Sequence, residues 1–299
     1  MHATHKKKPP RVGDSPLVRR TLIGFVLLFG ALLVVAPLIV IGVQAFSQGW
    51  KVYGATITNS DTRHAILLTV VTALIAVPIN TVFGVAAAWA ITKFDFWGRR
   101  LLLVVIEIPF SVSPIVAGVA YLFVYGLQGL FGPALESADI KILFALPGIV
   151  LASMFVTAPF VARELIPLMQ AQGRELEEAA TSLGASGWRT FLTVTLPNIK
   201  WAMLYGVVLC NARVMGEFGA VSIVSGNIRG QTNTLPLHIE LLYHDYQAAG
   251  AFASASILAL IAVFTILAKV ALERRGAGRA RRPSLVAACQ HNSAEEIRP

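Results

Sequence analysis

The chain has 299 residues, 56% of them hydrophobic and only 14% charged, with a formal net charge of +9. A soluble domain carries about a quarter charged residues, so the composition excludes an ordinary soluble enzyme and indicates a polytopic membrane protein. The positive excess has to be read against the apolar runs before it is read as a nucleic-acid surface.

Residues 1–20 form a basic, polar tail with Lys6, Lys7, Lys8, Arg19 and Arg20. The first apolar run, 22–46, is too long for the core of a signal peptide. At about 1.5 Å per residue it crosses a hydrocarbon core of about 30 Å. A polar outer stretch, 48–63, leads to a second span over 64–92. Pro78 and Asn80 in its middle predict a kink that faces other helices. The loop from Lys93 to Arg100 is short and basic with aromatic residues, which suits a membrane interface. The third span, 101–126, carries Glu107, Pro109, Ser111, Ser113 and Pro114, and is expected to be kinked and locally polar. An outer connection, 127–141, precedes the fourth span, 142–161. Arg163 and Glu164 follow it and lead into a polar stretch, 170–198. The fifth span covers 198–224, a long outer segment 225–247, and the sixth span 248–272. A basic tail runs from Glu273. The expected fold class is all-α, with six transmembrane helices.

The positive charges orient this bundle. With both termini inside, the inner segments hold 20 Lys and Arg and the outer ones four, with Arg213 inside span five. That asymmetry predicts cytoplasmic termini, and it removes the case for nucleic-acid binding. Cys210 and Cys289 are far apart and form no disulfide framework. The six histidines show no metal-site spacing. No glycine-rich Lys-Ser/Thr phosphate loop is present, so any ATP-driven work must be done by a partner.

The polar stretch reads as two short helices around a turn. Leu176, Ala179 or Ala180, and Leu183 recur at helical spacing and make one apolar face. Glu175, Glu177 and Glu178 suit the positive end of that helix. Gly184 falls where a left-handed cap ends it, Ser186 can cap a second helix over 187–194, and Pro197 suits the first turn of the next span. Read physically, this is a solvated loop with helical character. The pattern Glu178-Ala179-Ala180, three residues, Gly184, then Leu196-Pro197 resembles the EAA loop of bacterial ABC importer permeases. The resemblance implies a type I, MetI-like permease core over 61–272. The tail 1–20 and the segment 21–60 lie ahead of it, and the tail 273–299 follows. It also implies that Glu178, Ala179, Ala180, Leu183, Gly184, Leu196 and Pro197 belong to a coupling element docked on an ATPase subunit.

Ionisable groups inside a span are functional candidates. Arg213 and Glu217 are four apart and share a helix face. They either neutralise one another structurally or line a pathway, with Asn211 two residues before Arg213. Ser111 and Ser113 offer hydroxyls beside Pro114. They either satisfy backbone groups freed by proline or guide an oxyanion, and two-residue spacing keeps them off one face. Glu107 is a further possible partner for Arg213. The runs 211–236, 155–167 and 109–118 resemble sulfate permease subunits of the CysW type. What this implies is import of sulfate or thiosulfate across the bacterial inner membrane. The implied complex has a related T-type permease subunit, two ABC ATPase subunits and a periplasmic binding protein, with no cofactor on this chain and ATP on the partner. Two alternatives stay open, a molybdate or tungstate permease and an ATP-independent channel subunit.

Overall fold

The computed structural model describes residues 16–280. The Lys6–Lys8 cluster, Cys289 and the arginines at 281, 282 and 298 lie outside the described residues. Those described form helices and no strand. In chain order they are α1 (Pro16–Ala45), α2 (Trp50–Thr58), α3 (Ser60–Lys93), α4 (Arg99–Ser111), α5 (Pro114–Tyr125), α6 (Gly132–Ser137), α7 (Leu146–Thr157), α8 (Pro159–Gln172), α9 (Glu175–Ser182) and α10 (Gly187–Thr190). A π-helical turn, Phe191–Thr195, then leads into α11 (Leu196–Met215), α12 (Gly219–Ser225), α13 (Leu235–His244) and α14 (Ala248–Ala280). Five segments are long and apolar enough to cross a membrane, and the α4–α5 pair makes a sixth if counted as one broken span. The all-α, six-span expectation therefore matches.

Three spans differ from expectation. The third is not one kinked helix: α4 and α5 meet at 109°. Pro114 has no N–H to continue the ladder, and the residue before a proline is forced out of the helical region. Val112 and Ser113 are accordingly extended, with ψ of 131° and 133°. The fourth span runs on through α8 to Gln172. Leu165, Ile166 and Met169 are buried while Arg163 and Gln170 are exposed, so polar residues on one face had disguised an amphipathic continuation. The fifth begins early, at Gly187, and ends at Met215. Its π turn answers Pro197, whose ring would clash with the carbonyl four residues back in a regular helix. Leu196 instead donates to the Phe191 carbonyl, five residues back.

The segment expected outside, 225–247, is packed into the bundle over part of its length. Thr232, Asn233, Thr234, Leu235, Leu237 and His238 are all buried. The Leu235 N–H donates to Thr69 Oγ1 on α3 at 2.8 Å, and His238 Nε2 lies 3.0 Å from Thr62 Oγ1. The core forms where α3, α8 and α11 meet. Two glycines bracket Val161 of α8. A Cβ at Gly84 of α3 would lie 2.7 Å from the Val161 Cβ, and one at Gly206 of α11 3.1 Å from its Cα. Lipid gives apolar helices little reason to associate, so close backbone approach through small residues supplies the packing. Outside this core α1 packs on α14 and exposes nearly all its side chains.

Candidate functional site

The polar stretch folds as its residues predict. Helix α9 carries Glu175, Glu177 and Glu178 in its first turn. It stops at Gly184, whose φ of +86° is the left-handed conformation that favours glycine. The Ala185 N–H closes the turn onto the Ala180 carbonyl at 3.1 Å. Ser186 Oγ accepts from the Arg189 N–H at 3.4 Å and caps α10. The second short helix does not stop at 194, however, because the π turn joins it to α11. Glu178, Ala179, Gly184 and Pro197 are exposed, and Ala180 and Leu196 half-buried. Leu183 is 89% exposed, with Leu176 and Trp188 also open. Apolar side chains left this open at the end of a membrane protein mark a contact surface.

What holds this surface in place was not legible beforehand. Lys93, the last residue of α3, reaches across to α9. Its ammonium sits 2.9 Å from Glu177 Oε1 and donates to the Gly173 carbonyl. Thr195 Oγ1 donates to the same carboxylate oxygen at 3.1 Å. Burial alone would raise the Glu177 carboxyl, yet the Lys93 ammonium and these hydrogen bonds hold it below the usual range. A second clamp lies beside the first. Arg174 meets Asp95 at 3.3 Å, and Asp95 also meets Arg99 at 3.0 Å. The hydrogen bond and charge of Arg174 lower the Asp95 carboxyl. Trp89 of α3 packs on Phe191 with ring centres 4.7 Å apart, and Phe191 stacks with Trp188. The loop after α3, expected only to sit at an interface, thus fixes the polar stretch to the bundle. The sole sequence signal was an unmatched cluster of Lys93, Asp95, Arg174 and Glu177 at two separated places.

In span five, Arg213 Nη1 meets Glu217 Oε2 at 2.7 Å. The two do not share a continuous helix, since α11 ends at Met215. Glu217 stands in the break, 2% exposed, and its other oxygen accepts from the Ala220 N–H at 3.0 Å. One carboxylate thereby neutralises the last turn of α11 and holds the first turn of α12. Behind it lies a small cavity bounded by Thr69, Thr72, Ser153 and Thr234. It has room for about one water and not for a tetrahedral oxyanion. Asn211 is half-buried, and its Nδ2 lies 3.6 Å from Met215 Sδ.

Ser111 and Ser113 flank the break between α4 and α5, and both are exposed. Neither side chain is hydrogen-bonded to Arg213. Glu107 is exposed on α4 and forms no ion pair among the described residues. The expected Arg213–Glu217 pair is present, and Glu107 does not join it. Among the described residues no cluster of three or more His, Cys, Asp or Glu has metal-site geometry.

Residues 80–276 match the family described as binding-protein-dependent transport system inner membrane component. The chain is 54% identical over 254 residues to the sulfate transport system permease protein CysW of Escherichia coli K12, covering 85% of this chain and 87% of that one. It is 37% identical to the sulfate transport system permease protein CysT of the same organism, covering 83% and 94%. Its fold resembles that of a bacterial ABC transporter involved in import of the acidic polysaccharide alginate. That match has a TM-score of 0.70 at 16% identity, over 86% of this chain and 95% of the other. The chain therefore belongs to the binding-protein-dependent transport system inner membrane component family, and within it to the CysW-type permeases.

Proposed function

We propose that this chain is one membrane subunit of an ATP-driven importer that carries sulfate, and thiosulfate with it, into the cytoplasm. The observation that carries this reading is the 54% identity, sustained over 85% of the chain, to a sulfate transport permease. The complex proposed has a T-type permease subunit beside this one, two ATPase subunits on the cytoplasmic side and a periplasmic binding protein. Both termini lie in the cytoplasm. The inner segments read from the sequence hold 20 Lys and Arg against four outside, which supports that orientation.

The mechanism follows from the parts. ATP binding closes the ATPase pair. The exposed face of Leu176, Ala180, Leu183 and Trp188, docked on that pair, moves with it. The Lys93–Glu177 and Arg174–Asp95 clamps pass the movement to α3, and the continuous α10–α11 helix passes it to span five. The Arg213–Glu217 pair holds the α11–α12 hinge through the cycle. An ion bare of water cannot cross hydrocarbon, because its desolvation is too costly. The cavity behind Glu217 is too small for the anion. A path along the subunit's outer face, closed by the second permease subunit, fits that constraint. Ser111 and Ser113 belong to this face.

The test is uptake of labelled sulfate by cells without other sulfate importers, expressing this chain with its partner subunits. Thiosulfate is expected to compete and molybdate to compete weakly. Strong competition by molybdate alone would assign the chain to molybdate. Uptake that persists with an ATPase subunit unable to hydrolyse ATP would make it a channel.

A further inference from the structure

Arg163 is one of two charged side chains, with Glu164, that the extension of span four takes in. Read as a cytoplasmic loop residue, it stands instead in the candidate span Leu146–Gln172. Nine residues of α8 follow it, to Gln172. Its neighbours Ala162, Leu165 and Ile166 bury one face of α8 against α3 and α11. Arg163, Pro167 and Gln170 share the opposite face, and all three are exposed. A guanidinium within a membrane span faces a polar cavity or another subunit, not lipid.

The arginine is held but not neutralised. Its Cζ lies 4.8 Å over the ring of Phe110, in the last turn of α4 and one residue before Ser111. Stacking of this kind orients the plane and leaves the rim of N–H donors open. Among the described residues its side chain has no carboxylate within 4.0 Å. The contrast with Arg213 is direct, since Glu217 takes up that charge at 2.7 Å. Glu107, three residues before Phe110 on α4, forms no ion pair among the described residues.

We propose that Arg163 is the side chain that contacts the oxyanion in transit, its guanidinium fork receiving two oxygens of the dianion beside the break between α4 and α5. This rests on the reading of the chain as an oxyanion importer. A planar fork fixed on an aromatic ring matches two oxygens of a tetrahedral dianion, which a lysine ammonium cannot do.

The assembled transporter, reconstituted in vesicles with a loaded binding protein, tests this. Arg163→Gln is expected to lower uptake kcat/KM by about ten- to hundredfold, the scale of a hydrogen bond to a charged group. Hydrolysis stimulated by the binding protein should persist. Arg163→Lys should assemble and transport at an intermediate rate, because charge remains and the fork is lost. Uptake by either variant equal to wild type overturns the proposal. A structural Arg163–Glu107 pair makes a different prediction, that Glu107→Gln with Arg163→Gln recovers uptake, and such recovery would also overturn it. Should Arg163→Gln fail to assemble, the Arg163→Lys rate decides alone. If wild-type vesicles carry molybdate in place of sulfate, the assigned substrate fails, and the same variants are then read with molybdate.

Discussion

Replacing Lys93 by Met and Glu177 by Gln, singly and together, measures how strongly the first inner loop grips the polar stretch. The Lys93 side chain is 7% exposed and that of Glu177 18%. A hydrogen bond to a charged group contributes about 1.5–3 kcal/mol, and stripping one partner from a buried pair costs about 3–5 kcal/mol. The pair stands at the edge of the bundle, so solvent screens part of this, and the expected coupling is about 2 kcal/mol. Denaturant midpoints of the purified complex, taken through a double-mutant cycle, give that number. The ratio of ions moved to ATP hydrolysed should fall in each single variant and partly recover in the double. The pH dependence has a definite sign. The carboxyl is held below its ordinary value despite burial, so its contribution is present at neutral pH. It is lost only as the pH falls through the lowered folded value, under the ordinary glutamate range. Additive single effects, with coupling under about 0.5 kcal/mol, would refute the clamp.

Two further outcomes are expected. Glu178→Lys or Gly184→Asp should separate ATP hydrolysis from uptake, or block association with the ATPase, while the spans still insert; no Cβ contact opposes a side chain at Gly184, so any defect there comes from its φ of +86° or from the docking face, and Gly184→Asn, which tolerates that φ, should be milder. Co-purification with the ATPase and hydrolysis assays read both. Arg213→Ala should impair transport more than Arg229→Ala, because the first strands a Glu217 side chain that is 1% exposed, whereas the Asp245 partner of Arg229 is 34% exposed; equal, mild effects in the uptake assay would remove Arg213 from the mechanism.

What was legible in the residues alone was local. Apolar runs of sufficient length marked six spans. Gly184 and Ser186 announced a cap and a new helix start, since both depend on the backbone of a few neighbours. Arg213 and Glu217, four apart, were expected to meet and do, although through a break and not along a helix. Proline positions warned of irregularity without deciding its form: Pro114 produced a 109° turn, while Pro197 was absorbed by a π turn within a continuous helix. Only the tertiary structure decided which face of α8 is buried, and so that Arg163 stands inside a span and open. It alone joined Lys93 to Glu177 and Asp95 to Arg174, roughly eighty residues apart, and buried the segment 232–238 against α3. The physical reason is range. Caps, turns and apolar periodicity are set by neighbours within a turn or two, whereas an ion pair or a buried hydroxyl depends on which helices pack, and that is settled by small residues such as Gly84 and Gly206 across the whole bundle.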